Sequence, residues 1–292
     1  MKYFEFSDTE IATLAQHDVD RALQEDVGDG DLTAALIDPQ RPARARILAR
    51  EAAVLCGTPW VTATIARLNP QASITWHVQE GQWCTADEVV VEIEGSAQAL
   101  LTAERTVLNF LQLLSAVATK TARYVQAVQS VPGNRAQIVD TRKTIPGLRL
   151  AQKYAVRMGG GTNHRIGLYD AVLIKENHIA AAGGVTAVLK RVAQTAPNAK
   201  FVEIEVENLG QLVEALDAGA RMVLLDNMEF ATQREAVRIN AGRAILEVSG
   251  GVNMDTVREI AATGVDRISI GALTKDVTAT DFSMRFEDSP KG

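Results

Sequence analysis

The sequence predicts an α/β protein whose second half is an incomplete or decorated α/β barrel, preceded by an α+β region. The chain has 292 residues, of which 47% are apolar and 23% charged, so it can bury one large core or two smaller ones. From residue 139 onward a strand, a loop and a helix-forming stretch recur six times. Each of these strands ends in polar or glycine residues, where parallel barrels place their catalytic groups.

The amino-terminal region begins with a helix and continues with strands. Ser7 and Glu10 have the spacing of a capping box, and apolar residues recur behind them at helical intervals. A long helix is predicted from Ala97 to about Val125, a stretch without Gly or Pro. Strands rich in Val and Ile are predicted over residues 44–56, 72–79 and 88–94.

The barrel pattern occupies the second half. Because fewer than eight units are clear, we expect an incomplete or decorated barrel. The tail after Thr280 lacks the pattern, so we predict two domains, residues 1–115 and 116–279, with 280–292 packing back on the first. The predicted strand segments read IVDTRKT (138–144), DAVLIKENH (170–178), FVEIEVEN (201–208), MVLLDNME (222–229), AILEVSGG (244–251) and RISIGAL (267–273).

Charge and composition limit the function classes. The formal net charge is −6, so the local group of cations between residues 140 and 178 favours small anions over nucleic acid. The acidic amino terminus has no continuous apolar segment, which argues against a secretion signal or membrane anchor and for the cytoplasm. Cys56 and Cys84 have no metal-ligand neighbours and are expected to be reduced, packed thiols.

Four cations follow or lie near the first two barrel strands. Arg142 and Arg165 offer bidentate hydrogen bonds to carboxylate or phosphate, and Lys143 and Lys175 add point charges. A single buried lysine such as Lys175 could instead form a Schiff base, which keeps an aldolase open as an alternative.

The same stretch contains further arginines and histidines. His164, directly after a glycine triplet, is interpreted as a proton carrier or a phosphate donor. For Arg149 and Arg157 a solvated surface position is as good an interpretation, and His178 stays undecided.

Acidic residues alternate along one predicted strand. Glu203, Glu205 and Glu207 share a face, and an acid inside a parallel barrel needs a cation, a metal or a hydroxylated ligand. Asp226 ends the next strand, and the pair Glu205 and Asp226 suits Mg²⁺ held together with substrate oxygens. The alternative is a structural ion pair with lysines or arginines of the barrel.

Glycines mark the last two strand ends, where many barrels bind a phosphate through backbone N–H groups. We assign this role to Ser249, Gly250, Gly251, Ile270, Gly271 and Ala272. Arg105, on the long helix, is a surface residue on these grounds alone.

Seven motifs together resemble the quinolinate phosphoribosyltransferase family. The resemblance covers essentially the whole chain, including EDVGDGDLT (25–33), and motifs of this length are highly specific. The seven are ERTVLN (104–109), DTRKTIPGLR (140–149), QKYAVRMGGGTNHRIGLYDAVLIKENH (152–178), EIEVEN (203–208), LLDN (224–227), EVSGGV (247–252) and SIGAL (269–273).

The resemblance implies an open α/β barrel preceded by an α/β sandwich domain, and a homodimer, able to assemble further, in which the helix bearing Arg105 reaches the neighbouring barrel. Glu205 and Asp226 would serve the ribose and Mg²⁺, and the two glycine-rich strand ends would hold the 5′-phosphate. The residues implied around the quinolinate carboxylates and pyrophosphate are Arg105, Thr141, Arg142, Lys143, His164, Arg165 and Lys175, and the implied catalytic set is Lys143, Lys175, Glu205 and Asp226.

The implied reaction transfers a phosphoribosyl group from phosphoribosyl pyrophosphate to the ring nitrogen of quinolinate, with loss of carbon dioxide. No nucleic acid and no membrane take part. The rivals are the Schiff-base aldolase, a non-catalytic sensor of phosphate ligands, and a phosphoribosyltransferase with a different acceptor.

Overall fold

The computed structural model describes residues 4–287, which form two compact units. Unit 1 contains residues 4–120, 145–160 and 276–287, and unit 2 contains 121–144 and 161–275. The strands are β1 (Pro42–Ala49), β2 (Ala53–Val54), β3 (Ser73–Trp76), β4 (Trp83–Cys84), β5 (Val89–Ser96), β6 (Gln137–Val139), β7 (Val172–Ile174), β8 (Val202–Val206), β9 (Met222–Asp226), β10 (Ile245–Ser249), β11 (Arg267–Ser269) and β12 (Phe282–Glu287). The helices are α1 (Asp8–Asp26), α2 (Thr58–Leu68), α3 (Ala97–Gln129), α4 (Arg149–Met158), α5 (Glu176–Ala182), α6 (Val185–Thr195), α7 (Leu209–Asp217), α8 (Phe230–Asn240), α9 (Val257–Ala261) and α10 (Ala272–Lys275), with a 3₁₀ turn at Ala34–Leu36.

Unit 1 is built on an antiparallel sheet of four strands in the order β12-β1-β5-β3. Ala45, Ile47 and Ala49 of β1 alternate with arginines and point into the core. Val61 of α2 and Leu111 of α3 belong to the same buried cluster. One face of the sheet is therefore covered by helices, while the arginine face carries ion pairs.

Helix α1 begins as the capping box predicts. The Ser7 side chain accepts a hydrogen bond from the Glu10 amide, and the Glu10 carboxylate accepts one from the Ser7 amide. Two amides that lack helical partners are thereby satisfied. The predicted long helix is also present, as α3.

One predicted strand of this region is wrong. Residues 44–56 do not form a single strand, because β1 ends at Ala49 and β2, which starts at Ala53, pairs with β4 in a separate two-stranded sheet. At the end of β1 the Ala49 carbonyl accepts a hydrogen bond from the Asp87 amide, in the segment between β4 and β5, at 2.7 Å.

Unit 2 has six parallel strands in the order β6-β11-β10-β9-β8-β7. All six predicted barrel strands are present, each inside its predicted segment apart from Gln137, the first residue of β6. The first two strands of the series, β6 and β7, lie at opposite edges and do not pair with each other in the described sheet. The prediction of an open α/β barrel, with a separate α/β domain before it, is confirmed.

The described units and the predicted domains differ at three places, one of which is residues 276–279, predicted in the second domain and found in unit 1. Residues 145–160, which include α4, belong to unit 1 although the predicted second domain contains them. The division inside α3 falls after Lys120, five residues beyond the predicted one at 115. Part of the predicted tail forms β12, which pairs with β1, and residues 288–292 of that tail lie outside the described residues.

Between residues 4 and 287, none of the helices combines the length and the hydropathy needed to cross a bilayer.

Candidate active site

A cavity of about 340 Å³ lies at the carboxyl ends of the barrel strands. All of its walls come from unit 2. Leu173, Leu224, Glu247 and Ser269 line it without having been predicted. The predicted residues that line it are Thr141, Arg142, Lys143, His164, Arg165, Lys175, Glu205 and Ser249.

A larger cavity of about 640 Å³ runs along the sheet of unit 1. Its charged residues pair with one another, since Arg44 Nε lies 3.5 Å from a Glu94 oxygen and 3.4 Å from a Glu287 oxygen. Because the charged groups of this groove already pair with one another, an ionic ligand would have to break these pairs in order to bind. The barrel cavity is therefore the better candidate.

Two guanidinium groups face the barrel cavity with few partners of their own. The buried Nε of Arg142 donates no hydrogen bond within the described part of the chain. Arg165 is 9% exposed and donates from a terminal nitrogen to the Ala171 carbonyl at 3.3 Å. Burial, and then the like charge of Arg142, lower the pKa of Arg165. An anion between these two groups would relieve both effects.

The loop after β6 carries Thr141 and Lys143 into the cavity wall. The Lys143 amide donates to the Thr141 hydroxyl at 3.1 Å, and the Thr274 hydroxyl donates to the Lys143 carbonyl at 2.8 Å. A Cβ added at Gly271 would lie 2.9 Å from Lys143 Cδ, so the loop packs on bare backbone there. The Lys143 ammonium is held on an exposed side chain above this fixed loop.

Lys175 and Glu205 form an ion pair across β7 and β8. Lys175 Nζ lies 3.1 Å from a Glu205 oxygen. Burial raises the pKa of Glu205, the hydrogen bond from Lys175 lowers it, and the charge of Asp226 raises it again. Two carboxylates that repel each other at neighbouring strand ends form a place where additional positive charge is favoured.

His164 is held on every polar side. Its amide donates to Asp140 at 2.8 Å, and Asp140 also accepts from the Asn163 side chain at 2.7 Å. Its ring Nδ1 accepts the Arg165 amide at 2.7 Å, and its Nε2 lies 2.7 Å from a Glu203 oxygen. The predicted role as proton carrier or phosphate donor would require one of these ring bonds to break, and it stays a prediction.

Three charged groups in the cavity wall or beneath it were assigned no role of their own from the sequence. Glu203 and Glu247 are both 0% exposed, and Arg267 Nε lies 3.2 Å from a Glu247 oxygen. Burial raises the pKa of Glu203 to about 7, against the opposing charges of Arg267 and Arg165. Burial and the charge of Glu203 raise the pKa of Glu247 to about 7 as well.

A signal for both acids was present in the sequence. Glu203 belongs to the alternating acids of β8, and of these it lies deepest, while Glu207 is exposed beyond the strand end. Glu247 is a single acid inside the otherwise apolar run of β10. Because an unpaired buried carboxylate is costly, such an acid in a barrel strand points to a charged interior.

The predicted phosphate-binding glycines lie at the same end of the barrel. Gly250 and Gly251 have positive φ, and a Cβ at Gly250 would lie within 2.1 Å of the Asn227 side chain. The Ile270 side chain is in the core, so only its backbone can serve a ligand. Ser249 lines the cavity and Gly271 contacts Lys143, and the assignment of all six residues to phosphate binding stays a prediction.

Some predicted residues lie apart from the cavity lining. Asp226 ends β9 directly beside Ser249 in the strand register and is half-buried. Arg105 is exposed on α3, in unit 1. The others outside the lining are Gly250, Gly251, Ile270, Gly271 and Ala272.

Comparisons with known proteins agree over nearly the whole chain. Two family models match, for the N-terminal domain of quinolinate phosphoribosyl transferase over residues 31–115 and for its C-terminal domain over 117–285. A probable nicotinate-nucleotide pyrophosphorylase [carboxylating] of Bacillus subtilis is 39% identical over 260 residues, or 89% of each chain. Quinolinate phosphoribosyltransferase [decarboxylating] 1 of Nicotiana glauca is 38% identical and is aligned over 91% of this chain and 80% of its own.

Solved structures show the same similarity. The nicotinate-nucleotide pyrophosphorylase of Francisella tularensis superposes with a TM-score of 0.90 at 42% identity, covering 94% of this chain and 97% of its own. NadC of Streptococcus pyogenes gives a TM-score of 0.90 at 37% identity, covering 98% of this chain and all of its own. Sequence and structure lead to the same conclusion: the chain belongs to the quinolinate phosphoribosyltransferase family.

Proposed function

We propose that the protein transfers the phosphoribosyl group of phosphoribosyl pyrophosphate to the ring nitrogen of quinolinate and removes the adjacent carboxylate. The products are nicotinate mononucleotide, pyrophosphate and carbon dioxide, a step of NAD biosynthesis. The observation that carries the proposal is the barrel cavity, in which guanidinium and ammonium groups outnumber their partners, in a chain of this family. Two anionic reactants can meet there without mutual repulsion.

Quinolinate is assigned to the arginine side of the cavity. Arg142 and Arg165 are buried enough for a charged hydrogen bond to be strong, and Arg142 Nε has a free donor. Planar guanidinium groups match the two carboxylates of a pyridine dicarboxylate in shape as well as charge. Leu173 and Leu224 supply the apolar surface that an aromatic ring requires.

Phosphoribosyl pyrophosphate is assigned to the lysine and glycine side. Lys143 and Lys175 hold the pyrophosphate, and backbone N–H groups of Gly250 and Gly271 the 5′-phosphate. As the bond from ribose C1 to pyrophosphate breaks, positive charge develops on the ribose. The carboxylate of Glu205, with Asp226 beside it, stabilises this charge, so that no protein nucleophile is needed.

Mg²⁺ fits the same acids. Glu205 and Asp226 provide the hard oxygen ligands that this ion prefers, and their mutual repulsion favours an added cation. Lys175 already binds one Glu205 oxygen, so the ion would share its coordination with substrate oxygens. When bound, Mg²⁺ would neutralise the charge of the departing pyrophosphate.

Decarboxylation follows from the transfer itself. Once the ring nitrogen is alkylated the ring is cationic, and it stabilises the carbanion that remains when carbon dioxide leaves. Uptake of one proton from solvent by this carbon then gives nicotinate mononucleotide. The protein contributes orientation, through the arginines that hold the second carboxylate, and a site from which water is partly excluded.

We also propose a homodimer, able to assemble further, in which Arg105 completes the neighbouring subunit's cavity. Arg105 and Leu101 are exposed on α3, and Leu32 and Leu36 are 88% and 83% exposed in the segment after α1, which contacts α3 where the Thr102 hydroxyl donates to Asp31. Large exposed apolar side chains beside a cation are typical of a protein interface. The reduced, buried cysteines Cys56 and Cys84 support a cytoplasmic location.

The reaction is tested with the purified protein, quinolinate, phosphoribosyl pyrophosphate and Mg²⁺, by following nicotinate mononucleotide and carbon dioxide. We expect both to form in equal amounts. Nicotinate as the acceptor is the control, because it lacks the carboxylate that is lost. Absence of the mononucleotide, or equal turnover of nicotinate, would contradict the proposal in favour of another acceptor.

The Schiff-base alternative has a direct test. Lys175 Nζ lies 3.1 Å from a Glu205 oxygen, and a nitrogen engaged in this ion pair is not free to attack a carbonyl. Borohydride added during turnover should therefore leave the protein mass unchanged. A stable adduct on Lys175 would support the aldolase.

The shared site is tested by mixing two inactive variants, Arg105→Ala and Arg142→Ala. If subunits exchange randomly, about a quarter of all sites regain both arginines, so roughly a quarter of the parent activity should return. No recovery of activity after demonstrated subunit exchange would mean that both arginines serve the site of their own subunit. Light scattering measures the number of subunits in the assembly.

A further inference from the structure

The buried acid Glu203 contacts the cavity only through another residue. One of its oxygens lies 2.7 Å from His164 Nε2, and its other oxygen has no hydrogen-bond partner among residues 4–287. It is completely buried in β8, two residues before Glu205 and on the same face of the strand. It is not in the cavity lining, whereas His164 is.

The hydrogen bonds decide which ring nitrogen carries the proton. The Arg165 amide donates to His164 Nδ1, so Nδ1 acts as an acceptor and has no hydrogen. The hydrogen of a neutral ring is then on Nε2, and Glu203 is its acceptor. A chain of two hydrogen bonds thus runs from Glu203 through the imidazole to the backbone of Arg165.

We propose that Glu203 is a positioning residue, which through the His164 ring fixes the backbone at Arg165 and so holds the Arg165 guanidinium in the cavity for quinolinate. The kinetic part of this inference rests on the proposed function. The guanidinium has a second anchor at the Ala171 carbonyl, and the two anchors together restrict where it can point.

The acceptor oxygen of Glu203, more than its charge, is what the ring requires. The Nε2–H group needs one acceptor oxygen, and a carboxyl group offers one whether or not it is protonated. The charged and titratable groups that face it are those of Arg267, Arg165, Glu205, Glu247 and His164. An amide oxygen should therefore replace the carboxyl in this role.

The same place has the donor atoms of a metal site, in His164, Glu203 and Glu247. Arg267 lies 3.2 Å from Glu247, and Arg165 also acts on Glu203, so two positive charges already balance the two acids. A divalent cation would be repelled by them, and we infer a positioning role for these groups.

The tautomer is tested without any activity measurement. The chain has four histidines, so ¹⁵N-labelled imidazole signals can be assigned to His164 through a His164→Gln spectrum. We expect an Nε2–H tautomer in the parent protein, in Glu203→Gln and in Glu203→Leu, and faster exchange of the Nε2 hydrogen with water in Glu203→Leu, where it has no acceptor. An Nδ1–H tautomer in the parent protein would overturn the inference, whether or not the leucine variant folds and whether or not the protein is active.

Kinetics test the consequence for Arg165. Glu203→Leu should raise KM for quinolinate by at least about tenfold and change KM for phosphoribosyl pyrophosphate by less than about threefold, since one charged hydrogen bond is misaligned. Glu203→Gln should stay within about threefold of the parent in both. Equal damage from Gln and Leu, or equal effects on both substrates, would refute the positioning role.

Asn240→Leu is the matched control. Asn240 is 1% exposed in the same unit, and its side chain bonds the backbone of Ala244 at the start of β10, away from the cavity. This variant should melt at a lower temperature yet keep both KM values. If it shifts KM for quinolinate as Glu203→Leu does, the effect belongs to general destabilisation and the inference fails.

Discussion

Asp18 in unit 1 and Glu203 in the barrel are both acids that burial has made difficult to ionise. Asp18 is 4% exposed and accepts hydrogen bonds from Trp60 Nε1 at 3.1 Å and from Arg21 at 2.7 Å. Glu203 is 0% exposed, and one of its two oxygens has no partner in the described residues. In both, desolvation is the main reason for the raised pKa. They differ in their hydrogen bonds, because donors from the fold reach both oxygens of Asp18 but only one oxygen of Glu203.

That difference separates the two units. Eight buried side-chain polar atoms lack a hydrogen bond among residues 4–287, and five of them belong to Arg142, Glu203, Glu247 and Arg267, at or beneath the cavity. Buried polar groups without partners cost stability, so a fold that tolerates several in one place has kept them for another purpose. In unit 1 the buried Asp18 joins α1 to α2, whereas in unit 2 buried polar atoms without a hydrogen bond gather at and beneath the cavity.

The largest expected effect comes from the cavity arginines. Arg142→Ala and Arg165→Ala should each weaken quinolinate binding by about 2–4 kcal/mol, because each removes a charged hydrogen bond in a partly desolvated site. Titration calorimetry with quinolinate measures this. Arg46→Ala, which removes a cation from the exposed sheet face of unit 1, should leave binding unchanged. Unchanged quinolinate affinity in both Arg142→Ala and Arg165→Ala would show that the buried cations of the barrel cavity do not bind this ligand.

A smaller effect is expected from Asp18→Ala. The substitution leaves the Trp60 N–H without an acceptor in a buried position and should lower the free energy of unfolding by about 2–3 kcal/mol. Urea denaturation measures the loss, and kinetic constants should not change. Asp20→Ala, which removes an exposed pair with Arg67, is the control and should be close to neutral. A kinetic defect in Asp18→Ala would mean that unit 1 acids also serve the site.

The smallest expected effect is a change with pH in Glu247→Gln. The folded pKa of about 7 lies above the ordinary value of 4.5, so the stability that this group contributes is complete below about pH 4.5 and is lost as pH rises through 7. Glutamine does not ionise, so relative to the parent the variant should gain about 1–2 kcal/mol between about pH 5 and pH 8, a value reduced by coupling to Glu203.

Denaturation curves at the two pH values measure that gain. Glu259→Gln, at an exposed position on α9, removes an acid without this burial and should follow the parent at both pH values. A constant difference between Glu247→Gln and the parent would show that Glu247 is not a buried, hard-to-ionise acid in the folded protein.

Much of the barrel could be predicted from the sequence because its signals are local. Apolar runs that end in polar residues marked all six strands, and the cations Arg142, Arg165 and Lys175 do line one cavity. Parallel strands bring their carboxyl ends to a common edge, so residues far apart in sequence converge there for a simple topological reason.

Other features depended on contacts that no local pattern encodes. The break between β1 and β2 inside residues 44–56 arises because the two strands pair with different partners, β5 and β4. Glu247 and Arg267 come from different strands, and only the register of β10 with β11 places them side by side. Strand pairing is a long-range choice, and period and composition leave it undetermined.

The amino-acid sequence by itself determined which residue types stand at each strand end, and therefore the ionic character of the site. Only the tertiary structure decided which of those charges are matched, with Glu205 paired to Lys175, and which lie buried without a hydrogen bond, as Arg142 Nε does. The physical reason is that the energy of a charge depends on its burial and on the distance to its neighbours, and the packed chain sets both.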